Sequence, residues 1–176
     1  MQHKIIIISG DKNSGKTRLM YAICSLLDFD GYSIGGMIQV PTLPGHFKTT
    51  YTLSDQLTGH SEIILNDKEK EGCTPYKNFY IDNSAFLWAN EQIIQAMEKS
   101  DYLLFDEVGM LELQKKGFYP SLIKALKGYK GIIMMAVRDT YVEEVIQNFS
   151  IDRQSVLIIP STSTSDEAYR MVSSHE

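Results

Sequence analysis

Lys4-Ile5-Ile6-Ile7-Ile8-Ser9 is a β-branched block with no polar alternation, the pattern of a strand buried on both faces of a parallel sheet. Tyr102 to Phe105 and Gly131 to Val137 repeat that pattern. Between these blocks the period changes. Leu19, Ala22, Ile23, Leu26 and Leu27 recur at helical spacing and predict a helix from Lys16 through Leu27, stopping before Asp30-Gly31. Phe86, Ala89, Ile93, Ala96 and Met97 predict a second helix over Ala85 to Lys99, with Ser84 as its cap. Phe118 to Lys127 predicts a third, and Asp139 or Thr140 caps a fourth that reaches about Gln147. Ser155 to Ile159 is the last strand.

One stretch breaks this alternation. Gly35 to Val40 reads as a short strand ended by Pro41 and Pro44, and Phe47 to Leu53 with Ser61 to Leu65 as antiparallel partners. Asn66 to Gly72 is a mixed-charge run expected to be a solvated loop, and Phe79 to Asp82 a minor strand. The order predicts an α/β fold with a mostly parallel central sheet, right-handed crossovers and an antiparallel insertion around residues 35 to 66. No repeat or linker splits the chain. Residues 1–160 are expected to form one domain, followed by a Ser/Thr-rich C-terminal tail, 161–176, mobile at its end.

Composition narrows the function classes. With 176 residues, 43% of them apolar, one core forms without metal or disulfide staples. A net charge of -5 gives no broad electrostatic footprint for nucleic acid or anionic lipid, so any phosphate must be held locally. No apolar run approaches the roughly 18 residues of a membrane span, and a cytoplasmic protein is expected. Cys24 and Cys73 read as incidental thiols, and His3, His46, His60 and His175 lack metal-ligand spacing. Trp88 and Phe86 lie at core spacing, with base stacking as the rarer alternative.

Gly10-Asp11-Lys12-Asn13-Ser14-Gly15-Lys16-Thr17 fits G-x-x-x-x-G-K-[ST] without a mismatch, between a buried strand and a helix. Glycines let the loop curl so that its N–H groups, with the positive end of the next helix, face a β-phosphate. Lys16 supplies a cation between the β- and γ-phosphates, and Thr17 offers a hydroxyl to Mg²⁺. The bland reading is a glycine turn with an exposed lysine. Asp11 is expected to face solvent or pair with Lys12, and Arg18 either pairs on the surface or touches phosphate.

The Tyr102 strand ends in Asp106-Glu107, 89 positions after Thr17. It looks like a Walker B strand: Asp106 supports Mg²⁺, and Glu107 accepts a proton from the attacking water. The plainer alternative makes Asp106 a helix cap. Gly109 and Glu112 extend the stretch, Glu112 as a second carboxylate in the cleft or a helix-start residue. Arg138 follows a buried strand at its carboxyl end, where it can stabilise the γ-phosphate or pair with Asp139 or Glu143.

Asp106-Glu107-Val108-Gly109-Met110-Leu111-Glu112-Leu113 resembles the D-E-[IV]-G-x-[ML]-E-L signature of the nucleoside-triphosphatase family first described from thermophiles, also called the cancer-related nucleoside-triphosphatase family. The Gly35-Gly36-Met37 strand with Tyr51-Thr52-Leu53, and Tyr80-Ile81-Asp82, fall in that family's order, so the resemblance runs from about residue 4 to 159. It implies a P-loop nucleoside-triphosphatase fold of the additional-strand class, in three layers. It also implies Mg²⁺-dependent hydrolysis of nucleoside triphosphates to diphosphate and phosphate, with broad base tolerance. Two departures stand out: Val40-Pro41 replaces an arginine usual in the family, and Ser161 to Ser165 replaces an N-x-x-x-N-R-like stretch that usually helps hold the base.

The leading expectation is therefore a Mg²⁺-dependent enzyme acting on ATP, GTP and other nucleoside triphosphates. The rivals are a small-molecule or nucleotide kinase, disfavoured by the lack of arginine between Arg18 and Arg138, and a nucleotide-binding adaptor with negligible turnover. A homo-oligomer or a protein partner is compatible with the sequence, which identifies neither.

Overall fold

The computed structural model describes residues 4–41, 50–66, 69, 71–76 and 79–174. These form β1 (Ile5–Ser9), α1 (Lys16–Phe29), β2 (Ile34–Pro41), β3 (Thr50–Asp55), β4 (Ser61–Asn66), β5 (Cys73–Tyr76) and β6 (Phe79–Asp82). They continue with α2 (Asn83–Ala96), β7 (Tyr102–Val108), α3 (Met110–Leu113), α4 (Tyr119–Gly128), β8 (Ile132–Val137), α5 (Val142–Asn148), β9 (Val156–Pro160) and α6 (Ser165–Ser173). One sheet runs β5-β6-β4-β3-β2-β7-β8-β1-β9.

The sheet is mixed rather than mostly parallel. The pairs β2–β7, β7–β8, β8–β1 and β1–β9 are parallel, whereas β2–β3, β3–β4, β4–β6 and β5–β6 are antiparallel. The antiparallel part extends beyond the expected stretch of residues 35 to 66 because Cys73–Tyr76 pairs with Phe79–Asp82 as an edge strand carrying Pro75. A proline fits an edge, where one N–H needs no partner. The Phe47 to Thr49 part of the expected β3 lies outside the described residues.

Period-two alternation divides the core. Ile5 and Ile7 of β1 face a cluster with Ile93 of α2, Leu122 of α4 and Val145 of α5. Ile6 and Ile8 face Met20 and Ile23 of α1 and Ala168 and Val172 of α6. Helices thus cover both faces, as strands apolar throughout require. Two glycines let β2 fit between its neighbours. A Cβ on Gly35 would stand 2.7 Å from that of Ala96, and one on Gly36, at φ +95°, would run into the Leu104 backbone.

The Ser/Thr-rich tail from Ser161 carries a helix over Ser165–Ser173, while its last two residues lie outside the described ones. Thr164 and Glu167 form a reciprocal cap, and Ala168 and Val172 are buried against the α1 side of the sheet. Composition hid this because one apolar stripe of a short helix suffices to anchor it. Helix starts also differ. Asp82, not Ser84, caps α2, its Oδ1 accepting from the amides of Ser84 (3.0 Å) and Ala85 (3.3 Å). Neither Asp139 nor Thr140 caps α5, because a short turn, 139–141, comes between.

Candidate active site

Strand β1 ends at Ser9, and the loop from Gly10 to Gly15 leads into α1. Gly15 sits at φ +95°, in the left-handed region, directly before a helix whose first turn has neither a capping side chain nor an acidic residue. Its amides and the helix dipole are left to an anion. Asn13 is also left-handed, at φ 61°, a conformation asparagine tolerates. Lys16 is buried and donates through Nζ to the carbonyls of Gly10 (3.0 Å) and Asp11 (2.8 Å). Asp11 and Lys12 are exposed, and Arg18 folds back over Gly15, where a Cβ would meet its Nη2 at 3.6 Å.

A second strand buttresses this loop. The Ser161 amide donates to the Ser9 carbonyl (2.7 Å) and the Ser161 hydroxyl to the Ser14 hydroxyl (2.8 Å). A Cβ on Gly10 would collide with both serine side chains. The first glycine of the motif is thus fixed by space as well as by curvature.

The acidic strand end lies across from the loop. Thr17 Oγ1 donates to the Asp106 carboxylate, 2.9 Å from Oδ2 and 3.1 Å from Oδ1, so residues 89 positions apart share one hydrogen-bonded site. Asp106 is buried and also accepts from the Gln39 amide (2.9 Å). Burial pushes its carboxyl up to about 6, against the downward pull of the Gln39 and Thr17 donors. A buried carboxylate beside a hydroxyl is a donor set that suits a hard divalent cation. Among the described residues no three His, Cys, Asp or Glu side chains gather as a metal cluster, so phosphate and water would have to complete such a shell.

Glu107 reaches its position through a bulge. Phe105 pairs with Met135 and Val108 with Val137, so β7 carries one more residue than β8 over this step. Phe105 and Val108 therefore share the α2 face while Asp106 points to α1. Glu107 takes φ 63°, a left-handed conformation that costs a non-glycine residue about 1–3 kcal/mol. Its side chain leaves the sheet partly exposed, with Oε2 3.6 Å from Arg138 Nη2. Bulges commonly re-aim side chains beside active sites. Of the pairings weighed for Arg138, neither Asp139 nor Glu143 is the partner; Glu143 pairs instead with Arg153 at 2.6 Å.

Glu112 is a staple. Its Oε2 accepts from the Gly109 amide (2.9 Å) and Oε1 from the Phe118 amide (3.0 Å), closing the connection after β7. Burial pushes it up to about 7, with Glu107 adding to the rise. The remaining candidates are structural: Cys24 is buried, its thiol pushed up to about 12, and Trp88 meets His60 edge-on. His3, His46 and His175 lie outside the described residues. Gln39 carries no signal in the sequence because it donates to Asp106 through its main-chain N–H, which every residue but proline has.

Two cavities meet here. One of about 750 Å³ lies between the loop and β2–β3, lined by residues 13–18, Tyr21, Gln39 and Glu107. The other, about 220 Å³, opens at Asp106, Glu107 and Arg138 and runs under β3 and β4.

A helix-covered mixed sheet with a glycine loop facing an acidic strand end defines an α/β protein whose candidate site lies at the carboxyl edge of its parallel strands. The NTPase family model matches residues 5–166, and the chain belongs to that family. It is 27% identical over 135 residues to nucleoside-triphosphatase THEP1 of Thermofilum pendens, covering 76% of this chain and 73% of that protein. It is 22% identical over 135 residues to nucleoside-triphosphatase THEP1 of Methanopyrus kandleri, covering 77% and 73%. The fold matches the solution structure of a human cancer-related nucleoside triphosphatase with TM-score 0.70 at 17% identity, covering 99% of this chain and 95% of that one. It matches the crystal structure of THEP1 from the hyperthermophile Aquifex aeolicus with TM-score 0.69 at 14% identity, covering 96% and 98%. Among the described residues no helix is long and apolar enough to cross a membrane.

Proposed function

We propose that this chain hydrolyses nucleoside 5'-triphosphates, ATP and GTP among them, to nucleoside diphosphate and phosphate, with Mg²⁺ as its cofactor. The observation that carries the reading is the Thr17–Asp106 hydrogen bond, which joins the glycine loop to the acidic strand end. Phosphates lie against the amides of residues 10–17, and Lys16 exchanges its two carbonyl partners for β- and γ-phosphate oxygens. Thr17 and Asp106 would hold Mg²⁺, which would supply positive charge to offset that of the phosphates. Glu107, aimed out of the sheet by the bulge, takes the proton of the attacking water. Arg138 swings from Glu107 to the γ-phosphate as charge develops there.

The roles of Gly10, Asp11, Lys12, Asn13, Ser14 and Gly15 are those of the loop backbone, with Arg18 at its rim. The test is phosphate release from a panel of ribo- and deoxyribonucleoside triphosphates. Release should need Mg²⁺ and vanish in Lys16→Ala; release unchanged in that variant rejects the loop as the phosphate site.

A further inference from the structure

Glu107 stands between two cavities, not at the end of one. It lines both the loop-side cavity and the smaller one beneath β3 and β4, and Gln39 and Tyr51 are likewise shared. Hydrolysis uses the first and the mouth of the second, where Asp106 and Arg138 stand, but not the depth of the second, since water needs no pocket. The second has an apolar inner wall, built from Leu53, Ile64, Leu65, Phe79, Phe86 and Phe118. Apolar concavities with polar groups gathered at one end are the usual form of a small-molecule site.

The polar groups fix what could enter. The cations among its lining residues are Lys12 and Arg138, both from the catalytic end, and none belongs to the inner wall. A second phosphate would be buried there without a counter-charge, at several kcal/mol. Glu112 also lines the cavity, but both its oxygens are spent on the Gly109 and Phe118 amides. The inner wall offers neither a cation nor a carboxylate without partners, so the part of an occupant that lies against it is neutral. A volume of about 220 Å³ takes one ring with a short substituent, given that a cavity of roughly 150 Å³ accepts benzene.

We propose that this cavity holds a neutral one-ring alcohol whose hydroxyl faces Glu107 and receives the γ-phosphoryl group. This rests on the nucleotide reading above. The bond between the γ-phosphorus and the β,γ-bridging oxygen breaks, and its electron pair leaves with the nucleoside diphosphate. A bond forms from the alcohol oxygen to that phosphorus, and the hydroxyl proton passes to the Glu107 carboxylate. The product is a phosphomonoester.

The experiment follows γ-³²P-labelled ATP with Mg²⁺ in the presence of benzyl alcohol, 2-phenylethanol or cyclohexylmethanol, with glycerol and AMP as polar and charged controls. ADP formed should exceed phosphate released, with label in the ring alcohol at about tenfold the yield with glycerol or AMP. Leu65→Trp, which fills the inner wall away from the phosphates, should abolish that label and leave basal phosphate release intact. Phe79→Ala, which opens the same wall, should shift preference to two-ring alcohols. Phosphate release intact with ADP equal to phosphate for every alcohol overturns the transfer alone. Label passing equally to glycerol or AMP, or undiminished in Leu65→Trp, does the same. If the unmodified protein gives no ADP at all, the nucleotide reading falls with it.

Discussion

The five parallel strands and the four-stranded antiparallel flank are built on different terms. In the parallel half β1 is buried at every position and β7 at all but Glu107, between helices on both faces. In the flank one face packs on α2 through Leu53, Ile64 and Ile81, while Ile63 is 42% exposed on the other. All the candidate phosphate and metal residues lie at the carboxyl edge of the parallel half. There, packing on both faces fixes the loop and the bulge. The flank contributes the walls of the adjoining cavities, and its one wet face leaves it freer to vary.

The largest effect expected is at the parallel edge. Arg138→Ala should lower turnover about a thousandfold or more if the guanidinium meets the transition state. Its stability should stay within about 0.5 kcal/mol, because the group is one-third exposed. Steady-state phosphate release beside a thermal melt separates the two. A mere surface partner of Glu107 would leave turnover untouched.

Packing tests the same contrast. Leu104→Ala, in β7, should destabilise by about 2–5 kcal/mol, whereas Ile63→Ala, in β4, should stay within roughly 0.5 kcal/mol. Equal shifts in urea midpoints would erase the distinction between the halves.

A smaller effect is expected at the staple behind the bulge. Glu112→Gln keeps one acceptor but sets an amide against the other N–H, at about 1–3 kcal/mol. Between pH 4.5 and about 7 the folded protein holds a proton on Glu112 that the unfolded chain has released. Unfolding then releases that proton, so stability falls as pH rises through this window and levels above it. The Glu112→Gln variant has no titrating group at this position, so the difference between the two proteins should shrink as pH rises. A difference independent of pH would mean that Glu112 titrates near its ordinary value.

The two halves are also unequally legible. Ile5 to Ile8, Leu103 to Phe105 and Ile132 to Val137 announce buried strands because they have no polar alternation. The glycine loop and the Asp106-Glu107 pair stand in the chain as motifs. The flank is harder to read because a four-residue edge strand containing Pro75 has little apolar signal of its own. α6 hides in a Ser/Thr-rich composition. The bulge at Glu107 and the main-chain contacts of Gln39 and Ser161 are beyond reading, since each depends on register or main-chain groups rather than on residue type.

The most direct measurement is a Glu107→Gln variant followed by both Mg²⁺-nucleotide titration and phosphate release. Binding should match the unmodified protein, because the loop, Thr17 and Asp106 are untouched. Turnover should fall by about 10²–10⁴-fold, the contribution of a positioned proton acceptor. Undiminished turnover, or loss of binding in step with turnover, would contradict the division of labour between the carboxylate that faces Thr17 and the one the bulge turns outward.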